Sequence, residues 1–233
     1  MRRLAFGFVA LAALGACSQP PAAPAAPEKP ALSATLPTDA PAGAYKLDNT
    51  HASITWKVMH MGMSNYTARF TKWDSELNFD PTDPAKNSVN VTIDAKSVRT
   101  DYPYAKTKAP WGGMEDFDAK ISSDPTMLNA KKFPTITFKS TGVERTGEKT
   151  AKVTGDLTML GVTKPITIDA TFNGGMKEHP MLKAGAIGFS GVGTIKRSDF
   201  GFTAGAPFVG DDVQILIEAE YLQAPPTAAA PAK

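Results

Sequence analysis

The sequence predicts an all-β fold, an antiparallel barrel of eight strands with one or two short helices capping an end. Three observations carry this expectation. Apolar residues alternate with period two in segment after segment, turn signals separate those segments, and the alternation stops in one stretch, about Tyr102 to Phe133. In chain order, Ile54, Trp56, Val58 and His60 alternate with Ser53, Thr55, Lys57 and Met59, and a long strand follows from about Tyr66 to Phe79. Val89, Val91, Ile93 and Ala95 alternate with Asn90, Thr92 and Asp94, as do Ile136 and Phe138 with Thr135, Thr137 and Lys139. Four more apolar sets complete the series: Val153, Gly155, Leu157 and Met159; Ile166, Ile168, Ala170 and Phe172; Ile187, Phe189 and Ile195; Val213, Ile215, Ile217 and Ala219. Asp80-Pro81, Thr146-Gly147 and Asn173-Gly174-Gly175 are turn signals. Strands with one apolar face and short connections make an antiparallel sheet, and eight of them can close and lose both edges.

Within the exceptional stretch, Met114, Phe117, Ala119 and Ile121 predict a short amphipathic helix. Asp124-Pro125-Thr126-Met127-Leu128 predicts the start of a second, with Asp124 as cap and Pro125 in the first turn.

Ahead of the barrel, Arg2 and Arg3 precede an uncharged apolar run, Leu4 to Leu14. A membrane-spanning helix needs ~20 apolar residues and a signal core ~7 to 15, so the run reads as an export signal, residues 1–16. Leu14-Gly15-Ala16-Cys17 resembles the lipobox of bacterial lipoproteins. That resemblance implies cleavage before Cys17, lipid attachment on its sulfur and amine, and anchoring in the cell envelope. Two or more acyl chains anchor stably, since each buried methylene contributes about 0.8 kcal/mol. Ser18, in place of the aspartate that retains such proteins at the inner membrane, favours the outer membrane, facing the periplasm. Cys17 is the sole cysteine, so no disulfide forms within the mature chain.

Residues 17–44 are rich in Pro and Ala and cannot bury a core, so they predict a disordered tether; residues 223–233 predict a similar tail. The barrel domain is expected over 45–222, a length that supports a sizeable core. Removing Arg2 and Arg3 from the 25 basic residues leaves as many as the 23 acidic ones, and no basic stripe runs through the domain. Nucleic acid is not an expected partner.

Several motifs in order resemble the YceI-like family of periplasmic lipid-binding proteins. Asp48-Asn49-Thr50-His51-Ala52-Ser53 and His60-Met61-Gly62-Met63-Ser64 are similar to the family's Asp-x-x-His-Ser and His-x-Gly-x-Ser start. Phe133-Pro134-Thr135-Ile136-Thr137-Phe138-Lys139-Ser140 resembles its central signature. Gly155-Asp156-Leu157-Thr158 through Gly161-Val162-Thr163-Lys164-Pro165 resembles its Gly-x-Leu-Thr-x-x-Gly-x-Thr-x-Pro hairpin, and Arg197-Ser198-Asp199-Phe200-Gly201 its late motif. Two departures, the spaced His51-Ala52-Ser53 and the segment Pro125-Thr126-Met127-Leu128, bear on the barrel mouth and its ligand preference. The resemblance implies an elongated, lipocalin-like barrel whose interior holds a long amphipathic lipid, polyisoprenoid or fatty-acyl, with no cofactor and no catalysis.

On that expectation the inward candidates for the apolar cavity are Trp56, Val58, Phe70, Ile93, Phe138, Leu157, Ile168, Phe189 and Ile215. Gly185, Gly188, Gly191 and Gly193, set in one strand, either thin the wall over a cavity or mark bulges at a corner. A polar head would be met by His51 with His60, Arg99 near Asp101, or Arg197 paired with Asp199. Met59, His60, Met61 and Met63 form an alternative site, thioether and imidazole suiting Cu(I). Three histidines and no glycine-elbow serine offer little for nucleophilic chemistry, so an enzyme is not expected. Monomer and homodimer both stay open.

Overall fold

The computed structural model describes residues 35–103 and 116–225. The signal, Cys17, Met114 and the chain from 226 onward lie outside the described residues. The described chain belongs to the compact unit Leu32–Lys233.

Among the described residues ten strands form one antiparallel sheet: β1 (Gly43–His60), β2 (Ser64–Phe70), β3 (Trp73–Phe79), β4 (Ser88–Asp94), β5 (Val98–Thr100), β6 (Thr135–Arg145), β7 (Thr150–Met159), β8 (Val162–Met176), β9 (Ala186–Lys196) and β10 (Val209–Gln223). The order β10-β9-β8-β7-β6-β4-β3-β1-β2-β5 closes through a β1–β10 pairing. Around the barrel the count is eight, because β2 with β3 and β4 with β5 are each one strand broken once. β1 shows this most directly: Gly43 to Lys46 bond β3, and Ile54 to His60 bond β2, along the same edge. Its other edge follows β10 from Tyr45↔Gln223 to His60↔Val209.

The single long strand expected over Tyr66 to Phe79 is thus interrupted at Thr71 and Lys72. Both donors of Thr71 turn to the Ser97 carbonyl, the N–H and the hydroxyl each at 3.0 Å. Ser97 lies in a 3-10 turn, Ala95–Ser97, capped by the Asp94 carboxylate, so Ala95 ends up in that turn and not at the end of β4. The two breaks face each other and bend the wall together.

One α-helix is present among the described residues, α1 (Phe117–Ser123), capped by Asp116, whose carboxylate accepts from the Ala119 N–H at 2.8 Å. The second helix expected from Asp124-Pro125 does not form. Asp124 instead closes α1, and its side chain accepts from both the N–H and the hydroxyl of Thr126, an Asx-turn that competes with helix. Residues 125–128 run as a turn that brings the Leu128 N–H onto the Ile121 carbonyl.

The domain also starts earlier than the sequence pattern indicates. Ala40 is buried, Leu36 packs against the core, and Gly43 and Ala44 are already in β1. Gly175, Ile187 and the Tyr45 hydroxyl, which donates to the Pro41 carbonyl at 2.7 Å, hold this lead-in segment in place.

Side chains inside the wall are fitted closely in places. At Gly155 an added Cβ would stand 2.4 Å from Phe138 Cζ and 2.6 Å from the Lys139 carbonyl oxygen, and the backbone cannot yield cheaply. Gly142, at the β6 bulge, has nothing within 4 Å. Gly155→Ala is therefore expected to cost roughly 1–3 kcal/mol, seen in thermal unfolding by circular dichroism as a fall of roughly 2–10 °C. Gly142→Ala, the control, should shift the midpoint by less than about 2 °C.

Candidate ligand-binding interior

Alternation along eight strands sends a row of apolar side chains inward from each, and inside the barrel they line two adjoining spaces. The upper chamber, about 560 Å³, lies toward the β1–β2 turn and α1. The lower, about 210 Å³, lies toward the start of β1. Ile54, Ile93, Leu157 and Ile215 border both and form a waist between them. They come from β1, β4, β7 and β10, and β7 lies opposite β1 in the strand order, so the waist is bounded on all sides.

All nine apolar positions singled out in the sequence line this interior. Trp56, Val58 and Phe70 face the upper chamber, Phe138, Ile168 and Phe189 the lower, and Ile93, Leu157 and Ile215 the waist. The glycines of β9 divide by face. Gly191 and Gly193 face inward, where Ile168 fills the space, its Cδ1 2.4 Å from a Cβ built on Gly193. Gly188 has only contacts at 4.0 Å, and Gly185 precedes the strand.

An aromatic group lines one side of the lower chamber. Phe79 and Phe172 stack at 6.0 Å, Phe172 and Phe189 approach at 5.4 Å, and Phe189 meets Tyr221 edge-on at 6.3 Å. The Tyr221 hydroxyl is satisfied by Ser75, 2.9 Å away and equally buried, and burial raises its pKa. Upstairs, Phe117 packs against Tyr66 at 5.6 Å and Tyr102 at 5.4 Å. The Tyr66 hydroxyl is buried without a hydrogen-bond partner among the described residues, and burial raises its pKa. Phe79, Phe172 and Tyr221, like Tyr66 and Phe117, went unselected in the sequence. Phe172 and Phe79 sit on strand patterns that marked them inward, whereas Tyr66 and Phe117 meet only through a helix outside the period-two pattern.

The polar expectations fare differently. Arg197 is buried beside the upper chamber but does not pair with Asp199, which is exposed. Its guanidinium donates to four carbonyls: Gly210 at 2.7 Å, Ala204 at 2.6 Å, Val209 at 2.8 Å and Phe202 at 3.2 Å. Desolvation lowers its pKa, with Asp211 opposing. Arg197 therefore fastens the loop between the 3-10 turn Arg197–Phe200 and β10 over the chamber. Arg99 donates to the Val98 and Lys96 carbonyls and makes no contact with Asp101 in an ion pair. His51 and His60 stand nine residues apart on β1, roughly 30 Å at strand rise. They do not form one site. His60 borders the upper chamber, while His51 sits outside, in a bulge where residues 48–51 oppose Glu220 alone.

In that bulge Asp48 accepts from Thr50 and lies 2.9 Å from His51 Nδ1. The hydrogen bond to His51 comes first among the causes that lower Asp48 to about 2, and Asp48 in turn raises His51. Asp48, His51 and Glu220 bring donor atoms within 4.8 Å of one another, with Asp48 already engaged. The methionine alternative is not assembled on one face. Met59, Met61 and Met63 are 40%, 53% and 73% exposed, while His60, one residue from Met59 in the strand, borders the interior.

A closed barrel around a carbon-lined void, with the Arg197-bearing turn at its rim, matches a known family. Residues 45–221 match the YceI-like domain. The chain belongs to the YceI-like family. A UPF0312 protein of Pseudomonas putida (strain GB-1) is 38% identical over 180 residues, 76% of this chain and 86% of the relative. The solved YceI protein of Campylobacter jejuni is 30% identical, with a TM-score of 0.58 over 72% of this chain and 90% of its own. A polyisoprenoid-binding domain from Saccharophagus degradans, 16% identical with a TM-score of 0.56, covers 77% of this chain and 98% of its own, and shares the fold.

Because its four acceptors would be left without donors, Arg197→Met is expected to destabilise the protein by roughly 3–5 kcal/mol. Hydrogen exchange should localise the effect, with the amides of 202–210 losing protection ahead of those in β3 and β4.

Proposed function

We propose that this YceI-like protein is a non-enzymatic carrier or sequestering protein for a long amphipathic lipid, of polyisoprenoid or fatty-acyl type, in the bacterial cell envelope. The observation that carries the reading is the pair of adjoining chambers, about 560 and 210 Å³, walled almost entirely by carbon. Apolar ligand surface taken from water into such a space gains ~25 cal/mol per Å² without directional contacts. Affinity then grows with chain length, which suits a long tail better than a compact metabolite. The polyisoprenoid-binding domain of Saccharophagus degradans supports the same ligand class through its shared fold.

The envelope part of the proposal rests on the sequence: the export signal, the lipobox ending at Cys17 and the Pro/Ala-rich segment after it. Acyl groups on Cys17 would hold the barrel at the outer membrane, facing the periplasm.

Native mass spectrometry of the full chain carrying Cys17→Ser, made in a bacterial host and purified without detergent, tests the carrier reading. A co-purifying mass that extracts as a prenyl or acyl lipid is the expected result. A clean apo mass that takes up neither class when offered would overturn it. Trp56→Asp in the upper chamber and Phe189→Asp in the lower each place a carboxylate in the void, where an unpaired charge is strongly disfavoured. Retained lipid should fall at least about tenfold in both, a loss of at least 1.4 kcal/mol of binding. For the anchor, fractionation of cells expressing the natural chain should place it with membranes, and Cys17→Ser should move it to the soluble fraction; unchanged partition would remove the lipobox assignment.

A further inference from the structure

Between β8 and β9 the hydrogen-bonded wall of the barrel is incomplete. Their ladder runs from Met176↔Ala186 to Ile168↔Gly193 and stops there. β8 nonetheless continues back to Val162 and β9 on to Lys196. Over these lengths β8 bonds only β7, and β9 only β10. Pro165 stands in the unpaired part of β8, where a residue without an N–H is tolerated.

A depression of about 400 Å³ lies along this seam on the outside. Its rim carries the hydroxyls of Thr154, Thr167 and Thr194 and the amine of Lys164. Lys196 and Asp199 also line it, and two of its apolar residues belong to the interior as well: Ile166 borders the lower chamber and Ile195 the upper. Phe200, 2% exposed in the 3-10 turn after β9, borders the same depression.

We propose that the seam between β8 and β9 is a lateral portal for the lipid, with Phe200 as its plug. This rests on the carrier reading. Opening the wall here breaks no ladder hydrogen bond, whereas parting two strands along a paired stretch would break several. Aromatic rings pack along one side of the lower chamber, and at the upper rim Arg197 holds its loop to the start of β10 through four carbonyls. A chain passing between Ile166 and Ile195 reaches both chambers at once, on either side of the waist, while its polar head stays among the hydroxyls outside. Gly193, with Ile168 folded over it, marks the fixed lower limit of the opening.

Stopped-flow uptake of parinaric acid, a fluorescent fatty acid, by the full chain carrying Cys17→Ser tests the portal. Phe200→Ala should raise uptake and release rates together by about tenfold while Kd moves less than about twofold, since the plug is on the path and not in the bound state. Thr167→Cys with Thr194→Cys, outward-facing positions that the continued register would place opposite each other, allow a short bis-maleimide to bridge the seam. Bridging should slow uptake at least about tenfold and trap ligand loaded beforehand. Should Phe200→Ala fail to fold, the bridged chain decides alone. Rates indifferent to bridging, in a chain that still takes up the probe, overturn the portal and leave the carrier reading standing. A chain that takes up no probe in any form overturns the carrier reading and the portal with it.

Discussion

β1 is hydrogen-bonded along both edges, to β10 on one side and to β3 and then β2 on the other, and this double pairing closes the sheet on itself. Closure removes the two free edges that an open sheet would present to other chains. It also turns one face of every strand toward a common axis. Eight strands are just enough for that axis to hold either a packed core or a slender guest. The inward rows here stop short of filling it. The remaining space is divided by the waist residues Ile54, Ile93, Leu157 and Ile215.

A void inside a folded domain forfeits dispersion contacts that a filled core would have made. The protein recovers order around the void by fixing its boundaries. At one end aromatic rings lean on one another and on the Ser75–Tyr221 hydrogen bond. At the other a buried guanidinium gathers four carbonyls, two from the loop before β10 and two from the start of β10. Neither boundary uses a buried carboxylate. Arg197 is desolvated yet satisfied by backbone dipoles, which keeps its geometry without an ion pair crossing the chamber.

The strand pattern made the wall legible because alternation is a direct record of which face looks inward. Trp56, Phe138 and Ile215 could be placed from their neighbours' polarity alone, and all three line the interior. Features that depend on local competition for hydrogen bonds were not legible in that way. Asp124 before Pro125 carries the marks of a helix start, but its carboxylate is drawn to Thr126 and ends a helix instead. The bend at Thr71 requires Ser97 to be nearby, and nothing local to either residue announces it. Arg197 and Asp199 are two apart with opposite charge, a spacing that suggests a pair, whereas the carbonyls that hold Arg197 come from residues 202–210 and bear no mark in sequence. Tyr66 belongs to the upper chamber through Phe117, a contact between a strand and a helix with different periods.

The register that joins Trp56 to Ile215 and Ala52 to Ala219 also sets the order of events during folding. Hairpins such as β6–β7 and β7–β8 can form as soon as their own residues are available. The partner of the first strand is the last, so a chain that emerges or is translocated amino-terminus first must carry β1 with an unbonded edge until β10 arrives. Loop-closure entropy delays such a long-range pairing. During that interval Ile54, Trp56 and Val58 are an apolar row with no sheet behind them, the kind of segment on which folding helpers act. The arrival of β10, and not the hydrophobic strands that precede it, would then decide when the barrel becomes safe from its neighbours.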